Sequence, residues 1–174
     1  LFRSVDNLMK TNWISNFSNN QIWQIKMGLR ENVDVSVYAK VNLDSFEMGH
    51  IRNLLEEGLT EISKYVDLLK ASWQFSIVAD DLRNNIDVSV YLKEEFSWDQ
   101  KMLVRQGVLD KIDCSLYAKP EYNAKQMELI KVGLKEGFDV SVYAREDFNE
   151  NQMKAILSCL RENLNLKLSS NENE

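Results

Sequence analysis

The sequence predicts an all-α fold, namely an α-solenoid of about six stacked helix pairs with a period of about 26 residues. The first observation behind this prediction is a motif, D-V-S-x-Y, that returns along most of the chain. Successive motif serines are 27, 26, 26 and 26 residues apart, which leaves one inserted residue near Glu61. These serines are Ser36, Ser63, Ser89, Ser115 and Ser141.

Helix start and stop signals return with the same period. A Ser, Asp or Asn stands three residues before a Gln or Glu in five of the six repeats, which is the spacing of a capping box, and Ala71 is the exception. Apolar residues at offsets of three and four follow, as in Met127, Ile130 and Leu134, and form one helical stripe. Residues suited to a left-handed helix end predict where the helices stop. They are Asn32, Gly58, Asn85, Lys111, Gly137 and Asn163.

The motif itself has two interpretations. Its alternation resembles a strand, which would give the alternative fold, a β/α horseshoe with a parallel strand at each motif. The positions that stay apolar, such as Val35, Tyr38 and Ala39, instead follow helical spacing. This favours a second short helix in each repeat, with Asp34, Asp87, Asp113 and Asp139 as N-caps.

One column of the first helix holds Gly28, Gly107 and Gly133, and glycine inside a helix costs about 1 kcal/mol relative to alanine. Close approach of a neighbouring backbone is the expected reason. Leu54 and Asp81 occupy this column in the second and third repeats. We therefore predict that the stack opens or bends between these two repeats and exposes residues beside the bend.

The chain is expected to form a single repeat domain over residues 1–174. An N-terminal covering segment would span 1–16, the repeats 17–168, and a flexible acidic tail 169–174. Stacked repeats share one continuous body, so no domain boundary is predicted. The net charge of −6 argues against general nucleic-acid binding. Apolar residues are not gathered into a membrane-spanning run, and the expected location is cytoplasmic.

The residues that could carry catalysis are few. The chain has one histidine, His50, on a variable helix column, where a surface role is expected. Its two cysteines, Cys114 and Cys159, are expected to be small buried side chains rather than a disulfide or a metal pair. No metal-ligand spacing and no glycine-rich phosphate loop is present. The sequence therefore predicts a non-enzymatic protein with no cofactor and no bound metal.

Aromatic side chains at variable positions are the candidate binding residues. They lie in the first turns of three helices and on a further variable column, where they could pack locally or form a patch that binds a partner. Asp80, beside the predicted bend, completes the set. The candidates are Phe46, Trp73, Trp98, Trp23 and Asp80.

A column of basic residues gives the competing interpretation. Its members could line a solvated face of mixed charge, or they could contact nucleic acid despite the acidic composition. They are Lys26, Arg52, Arg105 and Lys131.

The string Q-M-x-x-I-x-x-G-L-x-x-G-x-D-V-S-x-Y-A at Gln126–Ala144 resembles a short repeat of uncharacterised proteins from Gram-positive gut bacteria and their mobile elements. The resemblance covers roughly residues 17–166 and implies a helical-repeat scaffold, with no activity attached to it. The leading hypothesis is a protein-interaction scaffold whose partner is another protein. The alternative is a nucleic-acid-associated or counter-defence protein of a phage or conjugative element.

Overall fold

The computed structural model describes residues 12–171, and over that range the chain is all-helical and contains no strand. The β/α horseshoe is therefore not supported. Six α-helices alternate with short 3-10 turns. They are α1 (Asn19–Arg30), α2 (Ser45–Glu56), α3 (Ser72–Arg83), α4 (Trp98–Leu109), α5 (Ala124–Lys135) and α6 (Glu150–Asn171).

The chain divides into two compact units, residues 1–88 and 89–174. In the first unit α1 packs against α2 and α2 against α3; in the second α4 packs against α5 and α5 against α6. Each unit thus stacks its helices in sequence order. The single domain expected over the whole chain stays a prediction.

The helices begin where the capping boxes predict. At α5 the Asn123 side chain accepts from the Gln126 backbone N–H at 3.0 Å, while Gln126 Oε1 accepts from the Asn123 N–H at 2.8 Å. The same reciprocal pair starts α1, α2, α4 and α6. At α3 Ala71 makes no side-chain cap, and Gln74 Oε1 accepts from the Lys70 N–H instead, at 2.6 Å.

The predicted left-handed helix ends are confirmed for five helices and wrong for the sixth. Residues 32, 58, 85, 111 and 137 all have positive φ, between 57° and 86°. In α5 the N–H of Phe138 then reaches back to the carbonyl of Gly133 at 2.9 Å, the six-to-one bond of a Schellman ending. Helix α6 instead runs through Asn163 to Asn171, so the first three residues of the predicted tail, 169–171, are helical.

In the regular repeats the D-V-S-x-Y motif forms the predicted second short helix, and this helix is a single 3-10 turn. The first of these turns spans Val35–Val37, and the Asp34 carboxylate caps it by accepting from the Ser36 N–H at 3.0 Å. Asp113 and Asp139 cap their turns in the same way. The turn stops after three residues because Tyr38 leaves it to enter the core, where it is fully buried.

The glycine column makes room for this tyrosine, and the predicted approach of a neighbouring backbone is wrong. A Cβ placed on Gly133 would lie 1.9 Å from the hydroxyl oxygen of Tyr143, ten residues later in the same repeat. The hydroxyl passes over the glycine and donates to the Leu129 carbonyl at 3.0 Å. Gly28 with Tyr38 and Gly107 with Tyr117 form the same tyrosine–glycine lock.

Burial raises the pKa of each locked tyrosine, because a phenolate could not be solvated beneath the helix. The pKa of Tyr143 rises to about 12, and those of Tyr38 and Tyr117 rise further. The phenol is therefore a neutral hydrogen-bond donor inside the repeat.

The second repeat replaces the lock with apolar packing. Leu54 takes the glycine position and is buried, while Tyr65 is only half-buried. The inserted residue lies in a doubled turn, Thr60–Lys64 followed by Val66–Leu68, whose Ile62 and Val66 fill the core. Leu54 is thus buried where regular repeats have glycine, and the tyrosine of this repeat enters the core less fully.

Buried glutamines connect three of the described repeats to the next one. Gln126 uses its oxygen for the capping box, and its Nε2 donates to the Phe148 carbonyl at 2.7 Å. Gln21 and Gln100 donate to the Leu43 and Tyr122 carbonyls, both at 2.6 Å. In every case the acceptor is the residue just before the N-cap of the next helix. We call this bond the glutamine tie.

Only part of the predicted N-terminal covering segment falls within the described residues. Asn12–Asn16 forms a 3-10 turn, and the Trp13 ring packs at 4.7 Å from the ring of Phe17. The rest of that segment, residues 1–11, lies outside the described range, as do residues 172–174 of the predicted tail.

We expect Gly133→Ala to destabilise the protein by about 1–3 kcal/mol, because its methyl group would overlap the Tyr143 hydroxyl. Gly49→Ala in α2 is the matched control: its Cβ meets only the movable end of Gln24, so the gain in helix propensity of about 1 kcal/mol should dominate. Urea unfolding measures both changes. Adding Tyr143→Phe should recover part of the loss in Gly133→Ala, and additive losses in the double variant would contradict the lock.

We expect Gln126→Glu to keep the capping box, lose the tie to Phe148, and place a carboxylate oxygen against a carbonyl. The cost should be about 1–3 kcal/mol. Gln152→Glu is the control, because Gln152 caps α6 in the same way but is exposed. Thermal unfolding of the two variants compares them directly, and equal shifts would show that the tie contributes nothing.

Candidate functional site

Two of the predicted binding residues form an exposed aromatic pair on neighbouring helices. Phe46 and Trp73 are the second residues of α2 and α3, and these helices pack against each other. Phe46 is 81% exposed and Trp73 53% exposed. Because the two residues hold the same position on adjacent helices, about 8–10 Å apart in such packing, they present one surface. We call them the aromatic patch.

The other two predicted aromatics hold different positions in their helices. Trp98 is the first residue of α4, one position earlier than Phe46 and Trp73 in their helices, and it is half-buried in the other compact unit. Trp23 is the fifth residue of α1 and is 53% exposed. The first-turn aromatics that the sequence groups together therefore occupy different positions.

Asp80 lies seven residues after Trp73, two turns along the same stripe of α3, and is exposed as predicted. Its carboxylate accepts from Arg83 Nη1 at 3.0 Å, and Arg83 also pairs with Glu57 at the end of α2, at 2.7 Å. Asp80 is thus part of an ion-pair network that joins α2 to α3. The bend expected between these repeats stays a prediction.

Val41 is a candidate that the sequence reasoning missed. It lies five residues before Phe46 and is 56% exposed. The repeat alignment gives only a partial signal, because Val41 stands where later repeats have Leu68, Glu94, Pro120 and Glu146. Its exposure, which the structure shows, is what makes it a candidate.

Arg52, one residue of the basic column, has its charge neutralised by acidic side chains. The Arg52 guanidinium binds the carboxylate of Glu31, lies 3.5 Å from that of Glu56, and donates to Gln24 Oε1 at 3.1 Å. Its side chain is only 11% exposed. A guanidinium held in this way is not available to phosphate, which weakens the nucleic-acid alternative.

Carboxylates at the helix ends form ion pairs with cationic side chains of the next helix. Asp110 and Glu136 are the C-caps of α4 and α5, where the helix dipole disfavours negative charge. Lys135 Nζ lies 3.1 Å from Asp110, and Arg161 lies 2.5 Å from Glu136. These hydrogen bonds lower the pKa of both carboxyl groups.

A second set of cations lies over the aromatic rings of the return loops. Lys93 is 5.5 Å from the centroid of Phe96, and Lys119 is 5.8 Å from that of Tyr122. Arg145 is 4.7 Å from the centroid of Phe148. These three cations cover the return loops, and they lie outside the candidate site.

The histidine and the cysteines form no cluster. His50 is half-buried, with its Nε2 3.2 Å from the Ser76 hydroxyl. Cys114 is buried, as predicted, and lies 3.3 Å from the Tyr117 hydroxyl. Cys159 is exposed, contrary to the prediction, because α6 continues straight and no turn folds back over this column.

Within residues 12–171, no group of three or more His, Cys, Asp or Glu side chains is placed to hold a metal ion. None of the helices there is both long and apolar enough to cross a membrane.

Neither a protein-family model, nor a curated protein, nor a solved structure matches the chain.

We expect acid to weaken the stack through the carboxyl groups at the helix ends. The pKa values of Asp110 and Glu136 lie below their ordinary values of 3.8 and 4.5, so they stabilise the fold above those values. This stabilisation should be lost as the pH falls through the lower folded values. Urea unfolding at pH 6, 4 and 3 measures the loss.

The variant Glu136→Gln should show a smaller loss of stability than the wild-type protein between pH 6 and pH 3, since it lacks one of these titrating groups. Glu128→Gln is the control, because it removes an exposed carboxylate that pairs with Lys125 of the same helix and leaves Asp110 and Glu136 in place. If Glu136→Gln loses stability with acid as steeply as the wild type, the pair with Arg161 does not contribute.

Proposed function

We propose that this protein is a non-enzymatic protein-interaction scaffold whose helical repeats form an α-solenoid, and that the aromatic patch contacts its partner. The observation that carries the proposal is the exposure of Phe46 and Trp73 at one position of two packed helices. The solenoid is supported by the recurrence of the same ties and ion pairs between successive helices. Small-angle X-ray scattering tests it, because a rounded scattering envelope would oppose an extended stack.

Large aromatic side chains are the residues that contribute most to protein interfaces. A buried aromatic side chain removes about 150–250 Å² from water, and each Å² of apolar surface is worth about 25 cal/mol. Covering Phe46 and Trp73 therefore supplies several kcal/mol to a complex. Most of the Phe46 side chain and about half of the Trp73 side chain are exposed, so that part of this free energy remains available for binding.

The charges around the patch favour a protein over nucleic acid. Asp44 caps the helix that carries Phe46, and Asp80 lies along the helix that carries Trp73. Phosphate groups would be repelled by these carboxylates, whereas a protein surface with basic residues around an apolar centre complements them. Arg52 already pairs with acidic side chains, which also favours a protein partner over nucleic acid.

A photo-crosslinking amino acid at position 46 tests the patch in the native host. We expect it to capture a protein, and we expect Trp73→Ser to reduce the yield at least several-fold. A crosslinker at position 142, where Val142 is 48% exposed in the other unit, is the matched control and should not capture the same species.

Equal capture at positions 46 and 142, or capture unaffected by Trp73→Ser, would contradict the proposal. Fluorescence anisotropy with labelled DNA and RNA examines the alternative. Binding that collapses with added salt and survives Trp73→Ser would favour a nucleic-acid partner.

A further inference from the structure

Three kinds of contact recur between neighbouring helices of a unit, and each helix pair shows two of them. The first is the glutamine tie, from the third residue of one helix to the carbonyl before the next N-cap, as from Gln126 to Phe148. The second joins the acid at the C-cap position of one helix to a cation at the twelfth residue of the next, as Glu136 joins Arg161.

The third contact, which occurs in the first unit, joins the sixth residue of one helix to the fifth of the next. Gln24 of α1 lies against Gly49 of α2, where a Cβ would be 2.8 Å from Gln24 Nε2. His50 of α2 lies 3.2 Å from Ser76 of α3. The outgoing face of one helix therefore meets the incoming face of the next at two of these three points in every helix pair within a unit.

Helix α6 presents the complete outgoing set to solvent. Gln152 is the residue of the glutamine tie, Ala155 is the sixth residue, and Glu162 holds the column of the C-cap acids. All three side chains are exposed, and among the described residues no partner engages the Gln152 amide nitrogen or the Glu162 carboxylate. Ile156 is partly exposed, whereas Ile130 in the same column of α5 is fully buried.

Helix α1 presents the complementary incoming set. Phe17 supplies the carbonyl before the N-cap, Trp23 is the fifth residue, and Arg30 holds the column of Arg83, Lys135 and Arg161. Trp23 is 53% exposed, and the exposed Arg30 has no ion pair with any residue that the structure describes.

We propose that the outgoing face of α6 binds the incoming face of α1 on a second copy of this chain, head to tail. Glu162 then pairs with Arg30 of the second copy, and the Gln152 amide donates to the Phe17 carbonyl. The indole of Trp23 lies over Ala155, the smallest residue in its column, so a large side chain meets a small one. We choose a second copy as the partner because the two faces carry opposite charges, place a hydrogen-bond donor opposite an acceptor, and have complementary side-chain sizes.

Such an interface is heterologous, because the two copies use different surfaces. Successive copies then form open chains, or rings if the rotation closes. This assembly is independent of the aromatic patch, since Phe46 and Trp73 belong to neither face.

Sedimentation velocity of the full chain over a wide concentration range, at low salt, tests the proposal. We expect the wild-type mass to rise with concentration. Arg30→Glu and Glu162→Arg should each stay monomeric, because like charges would then meet at every contact. An equimolar mixture of the two variants should assemble again. In that mixture the unchanged Glu162 of one variant meets the unchanged Arg30 of the other, and the two substituted side chains also meet with opposite charges.

Lys125→Glu, an exposed charge reversal on neither face, is the matched control and should assemble like the wild type. Ala155→Trp should block assembly without a charge change, and circular dichroism checks that each variant folds. A wild-type protein that remains monomeric at all concentrations would overturn the proposal. So would charge variants that assemble alone, or a mixture that fails to assemble.

Discussion

The hydroxyl group of a buried tyrosine, resting where a glycine lacks a side chain, is the interaction on which each regular repeat depends. It fixes the return of the chain, because the ring can enter the core only if the 3-10 turn places it over the preceding helix. The glycine has two roles at this point. Its missing Cβ leaves space for the Tyr143 hydroxyl, and its carbonyl accepts the bond that ends α5. Helix end, turn and core packing therefore meet at one residue.

Local features of the fold could be predicted from the sequence because their causes are local. A capping box needs only a side-chain acceptor three residues before Gln or Glu. A left-handed helix end needs only a residue that can adopt a positive φ. The helix end predicted at Asn163 was wrong. The local signal for a helix end is present there, but no tyrosine follows to pack into the core, and α6 continues. The glycine column and the tyrosine column can both be seen in the sequence. Their contact cannot be seen there, because it forms only after the chain reverses direction.

The candidate site shows the same limit. Phe46, Trp73 and Trp98 all lie in first turns, yet one residue along a helix rotates a side chain by about 100°. That rotation leaves Trp98 half-buried while Phe46 and Trp73 stay exposed. Exposure depends on which neighbour covers a position, so it could not be predicted from composition. Val41 illustrates this limit, because its column also holds the apolar Leu68, and only the structure shows that Val41 is exposed.

The tyrosine–glycine lock has a consequence for how such a protein can change in length. Both partners lie within one repeat, ten residues apart, so neither depends on the identity of any other repeat. The glutamine tie reaches a backbone carbonyl, which every amino acid supplies. Unequal recombination that copied or deleted one 26-residue segment would therefore leave every remaining lock intact and give every tie an acceptor. The array can evolve by changing its number of units before any residue has to adapt.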